Sequence, residues 1–255
     1  MKVSEYAPGV PCWVDLGTPD VEGAEWFYGA LFGWTPQPST SETGGYTFFH
    51  KGDDPVAAVG PLFSAEQPPA WTWYAATADA DETARAVEAA GGKVLSAPLD
   101  VLDAGRMAVF LDVSGTPFAV WQARAFPGAT VVTEPGAFAW NDLMTRDPEA
   151  ATEFYGQVFG WTPKVNANPD APYTEFQLAG RTIAGMMPMR GEAWPDDLPD
   201  HWMVYFAVED CDASCARIGE LAGTVSVPPM DVPGVGRFAI VGDPAGAFFS
   251  VIALE

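Results

Sequence analysis

A chain of 255 residues, 48% apolar and 13% aromatic, is too hydrophobic to stay disordered and long enough to bury a core in one large or two small domains. Its 12 basic residues against 34 acidic ones give a net charge of −22, which excludes nucleic acid and anionic membrane surfaces as partners, since both need clustered Lys and Arg. A solvated acidic surface with some attraction for cationic ligands is what remains.

Met1 to Pro8 lacks the apolar stretch of a signal peptide, and the longest apolar stretches, Trp202 to Val208 and Phe248 to Leu254, are too short to cross a bilayer. A cytoplasmic protein is expected. Cys12 to Gly17 reads as a short strand closed by Thr18-Pro19-Asp20. Ala24, Phe27, Tyr28, Leu31 and Phe32 then recur at helical spacing until Gly33 stops the run. Tyr46 to His50 and Val56 to Leu62 read as strands separated by turn residues. Trp71 to Thr77 is a further strand, Asp81 to Ala90 a helix stopped by Gly91-Gly92, and strands follow near Val94, at Arg106 to Leu111 and at Pro117 to Gln122. Arg124 to Pro135, with Pro127 and Gly128, is a linker.

Beyond the linker the order repeats. Gly9 to Pro36 aligns without gaps on Gly136 to Pro163, with 16 of 28 positions identical at an offset of 140 − 13 = 127. The register continues through Tyr46/Tyr173, then shifts to 202 − 71 = 131 through an insertion near Trp194 to Pro199, after which Tyr74/Tyr205, Asp100/Asp231, Arg106/Arg237 and Asp112/Asp243 coincide. Two domains, 5–125 and 134–255, are expected. Cys211 and Cys215, four apart on a helix, align with Ala80 and Ala84 and are expected to be core residues, not metal ligands.

The FYGALFGW and FYGQVFGW helices, the helix ending in Gly-Gly before a strand, and the closing GRFAIVGDPAGAFFSVI resemble the vicinal oxygen chelate superfamily, which includes glyoxalase I, bleomycin-resistance proteins and extradiol dioxygenases. The resemblance implies an α+β fold of four βαβββ modules in two cupped, barrel-like sheets, tandem glyoxalase-like domains. It leaves function open. Metal-dependent members of the superfamily place His, Gln or Glu on the first and last strands of a module. The matching positions here hold Trp13, Trp140, Ala119 and Ser250, which are not such ligands, and the chain has only His50 and His201, neither repeated. No metal and no other cofactor are expected.

The alternation of a strand puts Asp15 beside Trp13, and Asp142 beside Trp140, on the face that the resemblance turns into the cup. A carboxylate there gains a raised pKa and can act as acid, base or polar anchor. Asp15 and Asp142 are therefore the candidate catalytic residues, with His201 at a strand entrance as a further candidate base. Trp13, Trp73, Trp121, Trp140 and Tyr205 are the candidate walls for a small hydrophobic or cationic ligand. The expected activity is that of a metal-independent binder of an aromatic small molecule, resembling the two-domain glyoxalase-like proteins labelled hydroxylases in natural-product metabolism. The alternatives are an antibiotic-sequestering protein of bleomycin-resistance type and a metal-dependent lyase or dioxygenase. The chain is expected to act as a monomer or homodimer.

Overall fold

The computed structural model describes residues 1–38, 44–64, 66–168, 172–191 and 194–255. The first module is β1 (Pro11–Thr18), α1 (Val21–Phe32), β2 (Thr35–Gln37), β3 (Thr47–Lys51) and β4 (Asp54–Pro61). The second is β5 (Ala70–Ala76), α2 (Ala80–Ala89), β6 (Lys93–Val101), β7 (Gly105–Leu111) and β8 (Pro117–Ala123). The third is β9 (Phe138–Thr145), α3 (Pro148–Phe159), β10 (Thr162–Val165), β11 (Thr174–Leu178) and β12 (Arg181–Pro188). The fourth is β13 (His201–Ala207), α4 (Cys211–Glu220), β14 (Thr224–Val232), β15 (Gly236–Gly242) and β16 (Phe248–Leu254). Each helix begins at an aspartate, Asp20, Asp79, Asp147 or Asp210, whose carboxylate accepts from a backbone N–H in the first turn at 2.9–3.0 Å. α1 and α3 end at Gly33 and Gly160, both at φ +71°, a left-handed conformation that a side chain would strain.

These modules pair into two eight-stranded sheets, ordered β2-β3-β4-β1-β5-β8-β7-β6 and β10-β11-β12-β9-β13-β16-β15-β14, cupped and not closed into barrels. The fold is α+β. At the middle of each sheet the first strands of two modules run antiparallel, β1 on β5 and β9 on β13, and each is flanked by a parallel neighbour, β4, β8, β12 or β16. β2 and β10 are three and four residues long, too short for periodicity to reveal. β6 runs well past Val94, its pattern masked by Pro98 and by register shifts on either side of Ser96.

The largest core cluster joins both sheets and their helices, from Val14, Phe27 and Trp73 of one half to Leu143, Phe206 and Phe249 of the other. Cys211 and Cys215 belong to it. Reciprocal bonds tie the halves together. The Tyr28 hydroxyl donates to Asp243 at 3.0 Å and accepts from Trp71 Nε1 at 3.0 Å; Tyr155 donates to Asp112 at 2.9 Å and accepts from Trp202 Nε1 at 2.8 Å. Trp34 Nε1 likewise reaches the Gly136 carbonyl, and Trp161 Nε1 the Gly9 carbonyl. The other face of each sheet carries its own smaller apolar cluster, Trp13, Tyr74 and Trp121 in the first cup and Met144, Met203 and Tyr205 in the second.

Candidate functional site

Register decides which side chains share a face. In the first sheet Trp13 pairs with Tyr74 and Asp15 with Thr72, whereas Val14 pairs with Trp73. Directly paired residues lie on one face, so Asp15, Trp13 and Tyr74 face the cup and Trp73 faces the helices. Trp73 is a correction to the expected wall. It is completely buried between Phe118, Trp161 and Trp202, where it holds the two halves together, and Tyr74 takes its place in the cup. Trp121 does face the first cup, opposite Ala76 and Met107. The second sheet repeats the arrangement, with Trp140 opposite Tyr205 and Asp142 opposite Met203.

The expected carboxylates each sit in a cluster of tyrosines and an indole. Asp15 Oδ2 accepts from the Tyr74 hydroxyl at 2.7 Å and the Tyr46 hydroxyl at 3.0 Å, and Trp13 Nε1 donates to the Tyr46 oxygen at 3.0 Å. In the second cup Asp142 Oδ1 accepts from Tyr173 at 2.6 Å and from Trp140 Nε1 at 2.9 Å, and the same N–H lies 3.0 Å from the Tyr173 oxygen. Tyr46 and Tyr173 stand immediately before β3 and β11, about thirty residues from the carboxylates they bond. The internal repeat already paired Tyr46 with Tyr173 and Tyr74 with Tyr205, and that duplication is the signal that could have added Tyr46, Tyr74 and Tyr173 to the site.

Small residues make the clusters possible. Gly185 pairs with Asp142, and a Cβ there would lie 1.8 Å from the Tyr173 oxygen and 2.1 Å from Asp142 Oδ1. Ala58 holds the matching position opposite Asp15, and the Asp15 carboxyl bonds instead between Tyr46 and Tyr74.

Burial governs the protonation of both sites. It pushes the Asp15 carboxyl up to about 6, against the opposing pull of the Tyr74 and Tyr46 hydroxyls. Burial also raises Asp142, opposed by Tyr173, Trp140 and Tyr205. The tyrosines Tyr46, Tyr74, Tyr173 and Tyr205 are held well above the usual phenol range by burial and then by the neighbouring carboxylate, so they stay protonated donors. A carboxyl that titrates near neutrality between fixed phenol donors can hold or release a proton, and can anchor a phenol or ketone. His201 lies outside these clusters. It sits at the strand entrance opposite Met144, with Nδ1 2.8 Å from the Pro199 carbonyl oxygen.

The metal that the sequence resemblance raised does not fit the side chains present. The first cup offers Trp13, Tyr74, Ala58 and Ala119 where ligands would stand, and the second Trp140, Tyr205, Gly185 and Ser250. Indole and methyl groups have no lone pair to give, the phenols keep their protons, and each carboxylate is already engaged. Among the described residues no three of His, Cys, Asp and Glu converge as a cation site. The repeated Asp100/Arg106 and Asp231/Arg237 pairs lie apart from the cups: Arg106 bonds Asp81 and Asp100, and Arg237 bonds Asp212 and Asp231, each fastening the first turn of a helix to a hairpin.

Two open grooves of about 540 and 480 Å³ lie away from these clusters, one between α1, the linker and α4 and one beside α1 and β4. No helix among the described residues is long and apolar enough to cross a membrane.

Known proteins share this architecture. The chain is 39% identical over 259 residues to the putative glyoxylase CFP32 of Mycobacterium tuberculosis, covering 98% of this chain and 97% of that protein. It is 40% identical over 270 residues to the anthracycline biosynthesis protein DnrV of Streptomyces peucetius, covering 99% and 96%. Among solved structures it resembles the Mn(II)-bound glyoxalase from Novosphingobium aromaticivorans, with a TM-score of 0.68, 18% identity and coverage of 97% and 83%. It also resembles the 2,3-dioxygenase LapB from Pseudomonas sp. KL28, with a TM-score of 0.67, 12% identity and coverage of 98% and 93%. At those identities the structures speak for the fold alone. Residues 12–120 and 136–251 each match the family model itself, and the chain therefore belongs to the Glyoxalase/Bleomycin resistance protein/Dioxygenase superfamily.

Proposed function

We propose that this chain is a metal-independent glyoxalase-like protein that binds a hydrophobic, oxygenated aromatic small molecule in natural-product metabolism, with a cup carboxylate as its polar anchor and proton-exchanging group. One observation carries the reading: the same cluster of aspartate, hydrogen-bonded tyrosine, second tyrosine and tryptophan occurs on both cup faces. Two groups do the chemistry. The carboxylate takes a proton from an acidic phenol or from a carbon beside a ketone, and a tyrosine hydroxyl released from the now neutral carboxyl turns its proton to the resulting oxygen. The anthracycline biosynthesis relative supports a polycyclic, oxygenated ligand class.

Calorimetric titration with danthron, a dihydroxyanthraquinone, tests the reading. Saturable binding is expected, weakened about tenfold or more when both Asp15→Asn and Asp142→Asn are present, because a hydrogen bond to a charged group contributes about 1.5–3 kcal/mol. No binding, or equal binding by the double variant, would overturn it. Sequestration of a cationic drug is the second reading, favoured by the charge of −22. Recovery of unaltered compound after incubation, with tighter binding of cationic than neutral analogues, would favour sequestration.

A further inference from the structure

The two cups carry the same cluster but are not equivalent. In the first, the linker crosses the face of the sheet: the Ala129 N–H donates to the Cys12 carbonyl, and Trp121 Nε1 donates to the Phe126 carbonyl at 2.8 Å. This anchors the Phe126 ring edge-on against Trp13, with centroids 4.9 Å apart, and against Phe48 at 5.3 Å. Trp13 is left 3% exposed. In the second cup Glu175 stands where Phe48 stands, and Trp140 remains partly exposed. The walls around Asp142 include Met144, Met187, Met189 and Met203, unbranched side chains that repack readily around a guest, with Trp194 and Leu198 packed against the same cluster.

A second difference points to what the guest carries. Ser250 lies on the cup face of β16, paired with Tyr205, and is completely buried. Its hydroxyl lies beside the Tyr205 phenol but makes no well-formed hydrogen bond with any group among the described residues. Ala119 occupies the matching place in the first cup, opposite Tyr74. A buried hydroxyl so poorly partnered is costly, and a ligand oxygen would satisfy it.

Resting on the function proposed above, we infer that the second cup alone takes the ligand, that a planar ring system lies against Trp140 and the methionines, and that Ser250 meets its ketone or phenol oxygen. Ser250 is thus the specificity-determining contact, and Phe126 is a permanent filling of the first cup.

Titration of the full chain with danthron and with anthracene, which has the same ring frame and no oxygen, tests this. One danthron per chain is expected. Ser250→Ala should weaken danthron by about three- to tenfold, the range for one neutral hydrogen bond, and leave anthracene unchanged. Ser250→Thr should keep danthron affinity within about twofold where the added methyl is accommodated by the methionines. The melting temperature of Ser250→Ala should stay level or rise, because a poorly partnered buried hydroxyl is removed, so a loss of binding is not a loss of folding. Two equivalent sites, unchanged danthron affinity in Ser250→Ala, or a parallel loss for anthracene would overturn the inference while leaving the proposed function standing. Failure of danthron to bind the wild-type chain would overturn both.

Discussion

Replacing Asp15 with asparagine should stabilise the protein at pH 8. Asp15 Oδ2 accepts both tyrosine bonds, and an asparagine carbonyl oxygen in the same place can accept the same two. What the substitution removes is the penalty for burying a charge. The folded carboxyl titrates at about 6 against an ordinary 3.8, so folding is favoured by the protonated form. Stability from this group is therefore fully present below the ordinary carboxylate value and is lost as pH rises through about 6. The gap of 6 − 3.8 = 2.2 corresponds to about 3 kcal/mol at 1.36 kcal/mol per unit, an upper bound for the cost at pH 8. Urea melts of wild type and Asp15→Asn from pH 3.5 to pH 8 give the comparison, since the other raised carboxyls, Asp142 and Asp243, are common to both chains. The two chains should diverge across pH 4–6, with the variant more stable by about 1–3 kcal/mol on the alkaline side. A variant that is less stable at pH 8, or whose difference from wild type does not change with pH, would refute the reasoning.

Two further substitutions probe the geometry. Gly185→Ala puts a methyl into the Asp142–Tyr173 bond and should cost about 2–3 kcal/mol in urea unfolding, whereas Ala58→Gly, at the matching place in the first sheet, leaves the Asp15 bonds in place and should cost less. Tyr28→Phe and Tyr155→Phe each leave a buried carboxylate and an indole N–H short of a partner between the halves, and each should lower stability by about 1.5–3 kcal/mol as measured by chemical denaturation.

Much of this fold was written in the repeat. Identical residues at an offset of 127 and, past one insertion, 131 marked two copies, and the strand-helix-strand order inside each copy marked the modules. Asp15 and Asp142 were legible because the same carboxylate recurs at the repeat offset, two residues after a repeated tryptophan, on the face that the resemblance turns into the cup. Trp73 was not. β5 is covered by apolar layers on both faces, so Trp71, Trp73 and Tyr74 read as one aromatic run whose alternation is hidden, and only pairing against β1 fixes its parity. The tyrosines that complete each cluster come from segments far along the chain. Phe126 lies in a Pro- and Gly-containing linker whose local sequence signals only a connection. Its place against Trp13 is a tertiary contact. His201 illustrates the opposite risk, a titratable residue near the right strand whose imidazole is held by the turn that precedes it.

The central claim is that the aspartate and tyrosine clusters bind an oxygenated aromatic ligand without a metal. Its most direct test is a danthron titration of protein purified without a polyhistidine tag and exhaustively treated with EDTA, repeated after addition of Mn²⁺, Fe²⁺ or Zn²⁺. The account predicts the same affinity before and after chelation, and a weakening of about tenfold or more in Asp142→Asn under both conditions. Binding that disappears with chelation and returns with one equivalent of a divalent cation would contradict it.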